Sequence, residues 1–198
     1  AVMLRNPAAP RLRYPGWRVS LRAGAWLPHA GVLGRQGVRL YDEEPLHGIY
    51  RAQLEAIADL AGECDVRVIL PYVADLEELQ YWHDDIRRQL PGSVAIGAMA
   101  ETPAAALQLR EWLEIVELVA IGCNDLMQCL FAADRDQPEL STYLDPYAPL
   151  LYRFLAQVAE GLGANLQRIQ LCGVLPQLRG EVERETAGTI FDKLVTEY

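Results

Sequence analysis

Along the chain, apolar positions follow two rhythms that take turns. "WRVSLRAGA", residues 17–25, reads as a short strand ending at Gly24, followed by a loop punctuated by Gly31, Gly34 and Gly37. From Pro45 to Gly62, Leu46, Ile49, Tyr50, Leu54, Ile57, Ala58 and Ala61 fall at spacings of three and four, which predicts a helix. "VRVILPYV", residues 66–73, is a continuous apolar run rich in β-branched residues and stopped by Pro71, the pattern of a buried strand. Asp75, with Glu78 three residues on, opens the next helix as a capping box in which Asp replaces Ser or Thr. The alternation then repeats. "SVAIGAMAE" and "VELVAIG" predict strands, with helices over 102–114 and 124–133 after them. Leu150, Leu151, Phe154, Leu155, Val158 and Leu162 form one helical stripe closed by Gly163, and "QRIQLCG" predicts a fifth strand. The ends differ: residues 1–16, with Pro7, Pro10 and Pro15, read as an irregular lead-in, and residues 176–198 as a charged helix.

Strands apolar on both faces and alternating with helices predict a parallel α/β architecture. No G-x-G-x-x-G and no P-loop occur, so neither a dinucleotide nor a nucleoside triphosphate site is indicated. What is left is a (β/α) barrel, whose chemistry gathers at the carboxyl ends of its strands. Five strands in 198 residues fall short of the roughly 250 usual for eight. The expected fold is therefore a (β/α)8 TIM-barrel-like domain over residues 17–175, incomplete or truncated. A chain beginning at Ala1 is also expected to be a piece of a longer protein.

Charge and cysteine usage narrow the partners. A net charge of −9 lacks the basic footprint that phosphate backbones demand, so nucleic acid is not expected. A few arginines can still make a local pocket for a small anion. No run of about 18 apolar residues occurs and no signal peptide heads the chain, so neither a membrane span nor secretion is expected. Cys64, Cys123, Cys129 and Cys172 lack C-x-x-C or zinc-finger spacing and fit reduced cytoplasmic thiols, mostly packing residues.

Polar residues cluster around the strands. Arg22 lies within the first strand and Arg67 leads into the second; Glu101 follows the third, Asn124 and Asp125 the fourth, and Cys172 ends the fifth. Arg135 comes soon after, in "AADRDQ". Two carboxylates from neighbouring strands make a sensible Mg²⁺ site, since magnesium takes one or two and fills its other positions with water and substrate oxygens. Arginines beside it would grip a phosphate or carboxylate in bidentate fashion. A thiol at the rim would serve as proton donor or nucleophile. Each residue also has a plain structural use: Glu101 beside a helix N-terminus, Asn124 as a helix starter, the arginines on the surface.

The words "IGAMAETPAAA", "VAIGCNDLMQCLFAADRD" and "LCG" resemble, in order and spacing, the phosphoenolpyruvate (PEP)-binding barrel of the PEP-utilising enzymes: enzyme I of the sugar phosphotransferase system, PEP synthase and pyruvate phosphate dikinase. "VLGRQGVRLY", "IYRAQLEAI" and "VRVILPYV" are similar to further segments of that family, so the resemblance covers residues 17–175. It implies that Glu101 and Asp125 hold Mg²⁺ and that Asn124 contacts the phosphate of PEP. Arg67 and Arg135 would bind that phosphate, with Arg22 and Arg39 as further substrate contacts. Cys172 would protonate the methylene carbon as pyruvate forms. The family passes the phosphoryl group to a histidine on a separate domain, supplied in cis or in trans, and related barrels dimerise, so a homodimer is expected. The departures are specific. Gln36 stands at an arginine position, Val174 replaces a Glu, and the family's first and last strands lack counterparts. None of His29, His47 and His83 has the Gly/Thr-rich surroundings of the phosphoryl acceptor. Two alternatives therefore stand beside a PEP-dependent phosphotransferase: a degenerate barrel that binds or regulates without turnover, and a Mg²⁺-dependent lyase acting on a pyruvate enolate.

Overall fold

The computed structural model describes residues 36–173 and the backbone of 17–20. The lead-in 1–16, Arg22, the rest of the first expected strand and the tail 176–198 lie outside the described residues. Five strands run in the order they occur: β1 (Trp17–Ser20), β2 (Val66–Val73), β3 (Ala95–Ala100), β4 (Leu118–Gly122) and β5 (Ile169–Cys172). Every neighbouring pair is parallel. Among the described residues the strand order is sequential, without the reversal that marks a doubly wound layout and its central crevice.

The helices α1 (Leu46–Ala61), α2 (Leu76–Gln89), α3 (Pro103–Ala106), α4 (Leu109–Ile115), α5 (Cys123–Phe131) and α6 (Pro149–Ala159) fill the connections. One large core joins Val68, Leu70, Ile96, Ala98, Val119, Ile121, Ile169 and Leu171 of the strands to Leu54, Leu79, Trp82, Trp112, Leu151 and Leu155 of the helices. The alternate strand residues Ile69, Leu118 and Ala120, with Met99 and Cys172 against them, make a second, smaller cluster. Because side chains alternate between faces, the two clusters lie on opposite sides of the sheet. The sheet is thus buried on both faces, as parallel sheets are.

Expected and observed elements differ in three places. The sheet is open among the described residues, β1 and β5 each pairing on one side only, so barrel closure is not observed. The helix expected over 102–114 is broken into α3 and α4. The Gln108 side chain bonds the Ala104 carbonyl at 2.9 Å, while its backbone N–H turns to Ala105 O at 3.0 Å. A side-chain amide that takes the i−4 carbonyl competes with the helical ladder. The stripe from Leu150 stops at Ala159 rather than Gly163, because Glu160 is extended and Gly161 adopts φ +80°.

Local chemistry starts the helices as the pattern suggests. Asp75 Oδ1 accepts the Glu78 N–H at 2.8 Å. Glu78 Oε2 answers one residue early, taking the Ala74 N–H at 2.8 Å. Thr102 caps α3 through the Ala105 N–H, with Pro103 at the first turn where its missing donor costs nothing.

Candidate functional site

Glu101, Gly122 and Cys172 occupy one level across the carboxyl ends of three strands. Ala100 pairs with Ile121, and Gly122 with Cys172. Glu101 is 5% exposed, an unusual position for a carboxylate, and Thr102 rather than Glu101 caps the following helix. Its Oε2 accepts the Tyr72 backbone N–H at 2.8 Å. Its stem lies on the bare backbone of Gly122, where an added Cβ would come 2.5 Å from Glu101 Cγ and 2.9 Å from Oε1. Asn124 lies over Gly173, just past Cys172; there a Cβ would meet the Asn124 carboxamide oxygen at 2.9 Å. The fourth and fifth strand ends are therefore in contact through Asn124.

Asp125 sits in the first turn of α5, where the helix dipole favours negative charge. Gln128, one turn on and 7% exposed, donates from Nε2 to Asp125 Oδ1 at 2.8 Å. Its Oε1 accepts the Arg135 backbone N–H at 2.9 Å. Ala132, at φ +50°, ends α5 in a left-handed turn that sends the chain back over the helix. The Arg135 guanidinium thereby lies 3.4 Å from both Asp125 oxygens.

The end of β2 supplies the remaining wall. Pro71 cannot donate to the ladder, and the register shifts between Leu70 and Val73. Tyr72 takes φ +53°, rare for a bulky residue and costing on the order of 1–3 kcal/mol. That conformation turns its N–H toward Glu101 and its phenol onto the Cys129 thiol. Burial, with Cys129 and the carboxylates of Asp125 and Glu101 nearby, pushes the Tyr72 hydroxyl above its ordinary range. Burial also raises the Cys129 thiol, against the lowering influence of the Tyr72 hydrogen bond. Gly37, at φ +58°, packs on this bend; a Cβ there would fall on Tyr72 Cβ and 2.5 Å from Pro71 O.

Of the expected residues, Glu101, Asn124, Asp125, Arg135 and Cys172 share the carboxyl ends of β3–β5 and the turn of α5. Arg39 lies close enough to Tyr72 to feel it electrostatically, and its Nε bonds Glu78 Oε1 at 2.8 Å. That bond raises its already high basicity. Arg22 lies outside the described residues. Arg67 is a correction. It is the second residue of β2, paired with Arg18 and Ala95, whereas Tyr72 and Val73 are at the site. At about 3.3 Å per residue, five residues put it some 16 Å from the carboxyl end, at the opposite pole of the sheet. Sequence reading passed over Tyr72, Gln128 and Cys129. Gln128 was within reach, three residues past Asp125 and so on the same helical face.

Comparison with known proteins bears on the same strand ends. Residues 28–183 match the family described as PEP-utilising enzyme, PEP-binding domain. The chain belongs to this family. Every candidate residue except Arg22 lies within the matched span of the PEP-binding domain. Among curated relatives of this domain, the phosphoenolpyruvate-protein phosphotransferase of Streptomyces coelicolor is 36% identical over 144 residues, covering 72% of this chain and 25% of that protein. Multiphosphoryl transfer protein 1 of Escherichia coli is 27% identical over 153 residues, covering 72% and 18%. The phosphoenolpyruvate-protein phosphotransferase of Enterococcus faecalis is 28% identical over 159 residues, covering 74% and 28%. The match thus spans 18–28% of the length of these relatives. Among the described residues of the PEP-binding domain, no helix is long and apolar enough to cross a membrane.

Proposed function

We propose that this chain binds PEP with Mg²⁺ at the carboxyl ends of β3–β5 and serves phosphoryl transfer to a histidine on another domain, releasing pyruvate. The observation that carries this reading is the convergence of Glu101, Asn124 and Cys172 at one level of the sheet, with Asp125 and Arg135 joined beside them. The donor set suits magnesium. Glu101 and Asp125 both bear electrostatically on the Tyr72–Cys129 pair. Two carboxylates, with water and ligand oxygens completing the shell, are what Mg²⁺ would take.

Bound Mg²⁺ would supply positive charge to the phosphate oxygens. Arg135 pairs with the phosphate through its guanidinium, and Asn124 offers a carboxamide N–H. Positioned charge of this kind is the main lever in phosphoryl transfer. The P–O bond of PEP breaks as a P–N bond to the acceptor histidine forms. Cys172 gives its thiol proton to the methylene carbon, producing pyruvate, and the thiolate is reprotonated by water. The sheet belongs, on this reading, to a (β/α)8 barrel, which accounts for the apolar cluster on the face away from the helices.

Calorimetric titration of PEP with and without Mg²⁺ tests the binding half. Mg²⁺-dependent heat is expected, lost in Glu101→Gln, and silence at millimolar ligand would sink the reading. Supplying a histidine domain from a related phosphotransferase tests turnover. Pyruvate release supports transfer, while binding without pyruvate selects a degenerate, non-catalytic barrel.

A further inference from the structure

The pairing of Arg135 with Asp125 has a consequence for the order in which ligands enter. The same arginine that would receive the anion is already engaged by the carboxylate that would receive the cation. The contact is long, 3.4 Å to each carboxylate oxygen, and the arginine side chain is 42% exposed against 15% for Asp125. Exposed pairs of this length contribute little stability and exchange easily. The backbone, by contrast, is held firmly: buried Gln128 bonds Asp125 with one end and the Arg135 N–H with the other. The guanidinium can therefore leave Asp125 while its Cα stays in place.

Resting on the reading above, we propose that Arg135 is a shared residue, latched on Asp125 when the site is empty and handed to the phosphate when a divalent cation takes Asp125. Cation and anion then bind with positive coupling that runs through a released arginine, in addition to direct attraction between the ligands. Without the cation, the anion must compete with Asp125 for the guanidinium.

The test is metal-free titration of PEP, with inorganic phosphate as a second probe, in the presence of a chelator. Asp125→Asn should free the arginine and raise metal-free affinity by about fivefold or more, the lower end of measured coupling energies. In an Arg135→Ala background the Asp125→Asn gain should vanish. Circular dichroism and thermal melting of each variant confirm folding. No gain in Asp125→Asn, or a gain of the same size that survives Arg135→Ala, would overturn the latch while leaving Mg²⁺-dependent PEP binding intact. Absence of PEP binding even with Mg²⁺ would remove both the latch and the reading beneath it.

Discussion

Gly122→Ala is the substitution whose effect can be worked most directly from the geometry. Gly122 sits at φ −83°, ψ 86°, a backbone conformation that alanine tolerates, so any cost is steric. The new methyl would meet Glu101 Cγ at 2.5 Å, Oε1 at 2.9 Å and Cδ at 3.1 Å. Two responses are open. Glu101 can hold its place, with overpacking that costs about 1–3 kcal/mol. Alternatively it can swing away and give up its charged hydrogen bond to the Tyr72 N–H, about 1.5–3 kcal/mol. The cheaper route wins, so the expected loss is about 1–3 kcal/mol, or roughly 2–4 °C of melting temperature per kcal/mol. The assay is urea unfolding of a double-mutant cycle. In a Glu101→Ala background the clashing atoms are gone, and Gly122→Ala should cost less than about 0.5 kcal/mol. An equal cost in both backgrounds would refute the contact. On the Mg²⁺ reading, the second response also weakens cation binding, because it moves Glu101.

Three further outcomes follow from the same geometry. Tyr72→Phe removes the hydrogen bond that lowers the Cys129 thiol, so the pH profile of Cys129 alkylation should move to higher pH; a profile unchanged or moved to lower pH contradicts that bond. Burial raises the hydroxyls of Tyr41, Tyr50 and Tyr72 above their ordinary value of 10.0, so the protonated forms are retained in the folded state. Their contribution is fully present below pH 10.0 and lost above it, at up to about 1.4 kcal/mol per pH unit for each tyrosine; Tyr50→Phe should flatten that alkaline slope in urea melts, and an undiminished slope counts against it. Arg67→Ala, at the far pole of the sheet, should leave PEP affinity unchanged in calorimetry, and a large loss would place Arg67 at the site after all.

The alternation of strands and helices was legible because each rhythm is set by local geometry: a period of two or an unbroken apolar run in strands, 3.6 in helices. The placement of Glu101, Asn124, Asp125 and Cys172 at strand ends followed from it. Arg67 shows where such reading needs a direction as well as a location. It borders a strand, yet in a parallel sheet only the carboxyl end carries this site, and a residue at the second position of the strand lies at the other. The split of 102–114 turned on where one side-chain amide bonds, a choice that apolar periodicity does not encode. Tyr72 was hidden for a related reason: an apolar run ending in Pro-Tyr signals burial, while a left-handed tyrosine depends on contacts with Gly37, Glu101 and Cys129 that are distant in sequence.

The bend at Pro71–Tyr72 also ties the mouth to the mechanics of the sheet. A donor that would ordinarily stitch β2 to its neighbour is lent instead to an acidic side chain, leaving the rung beside it unmade. Whatever draws on Glu101 from above must therefore tug the tip of that strand, and Gly37, seated against the bend, moves with it or resists. On the Mg²⁺ reading, occupancy at the rim would in this way be felt as tension along a β-strand.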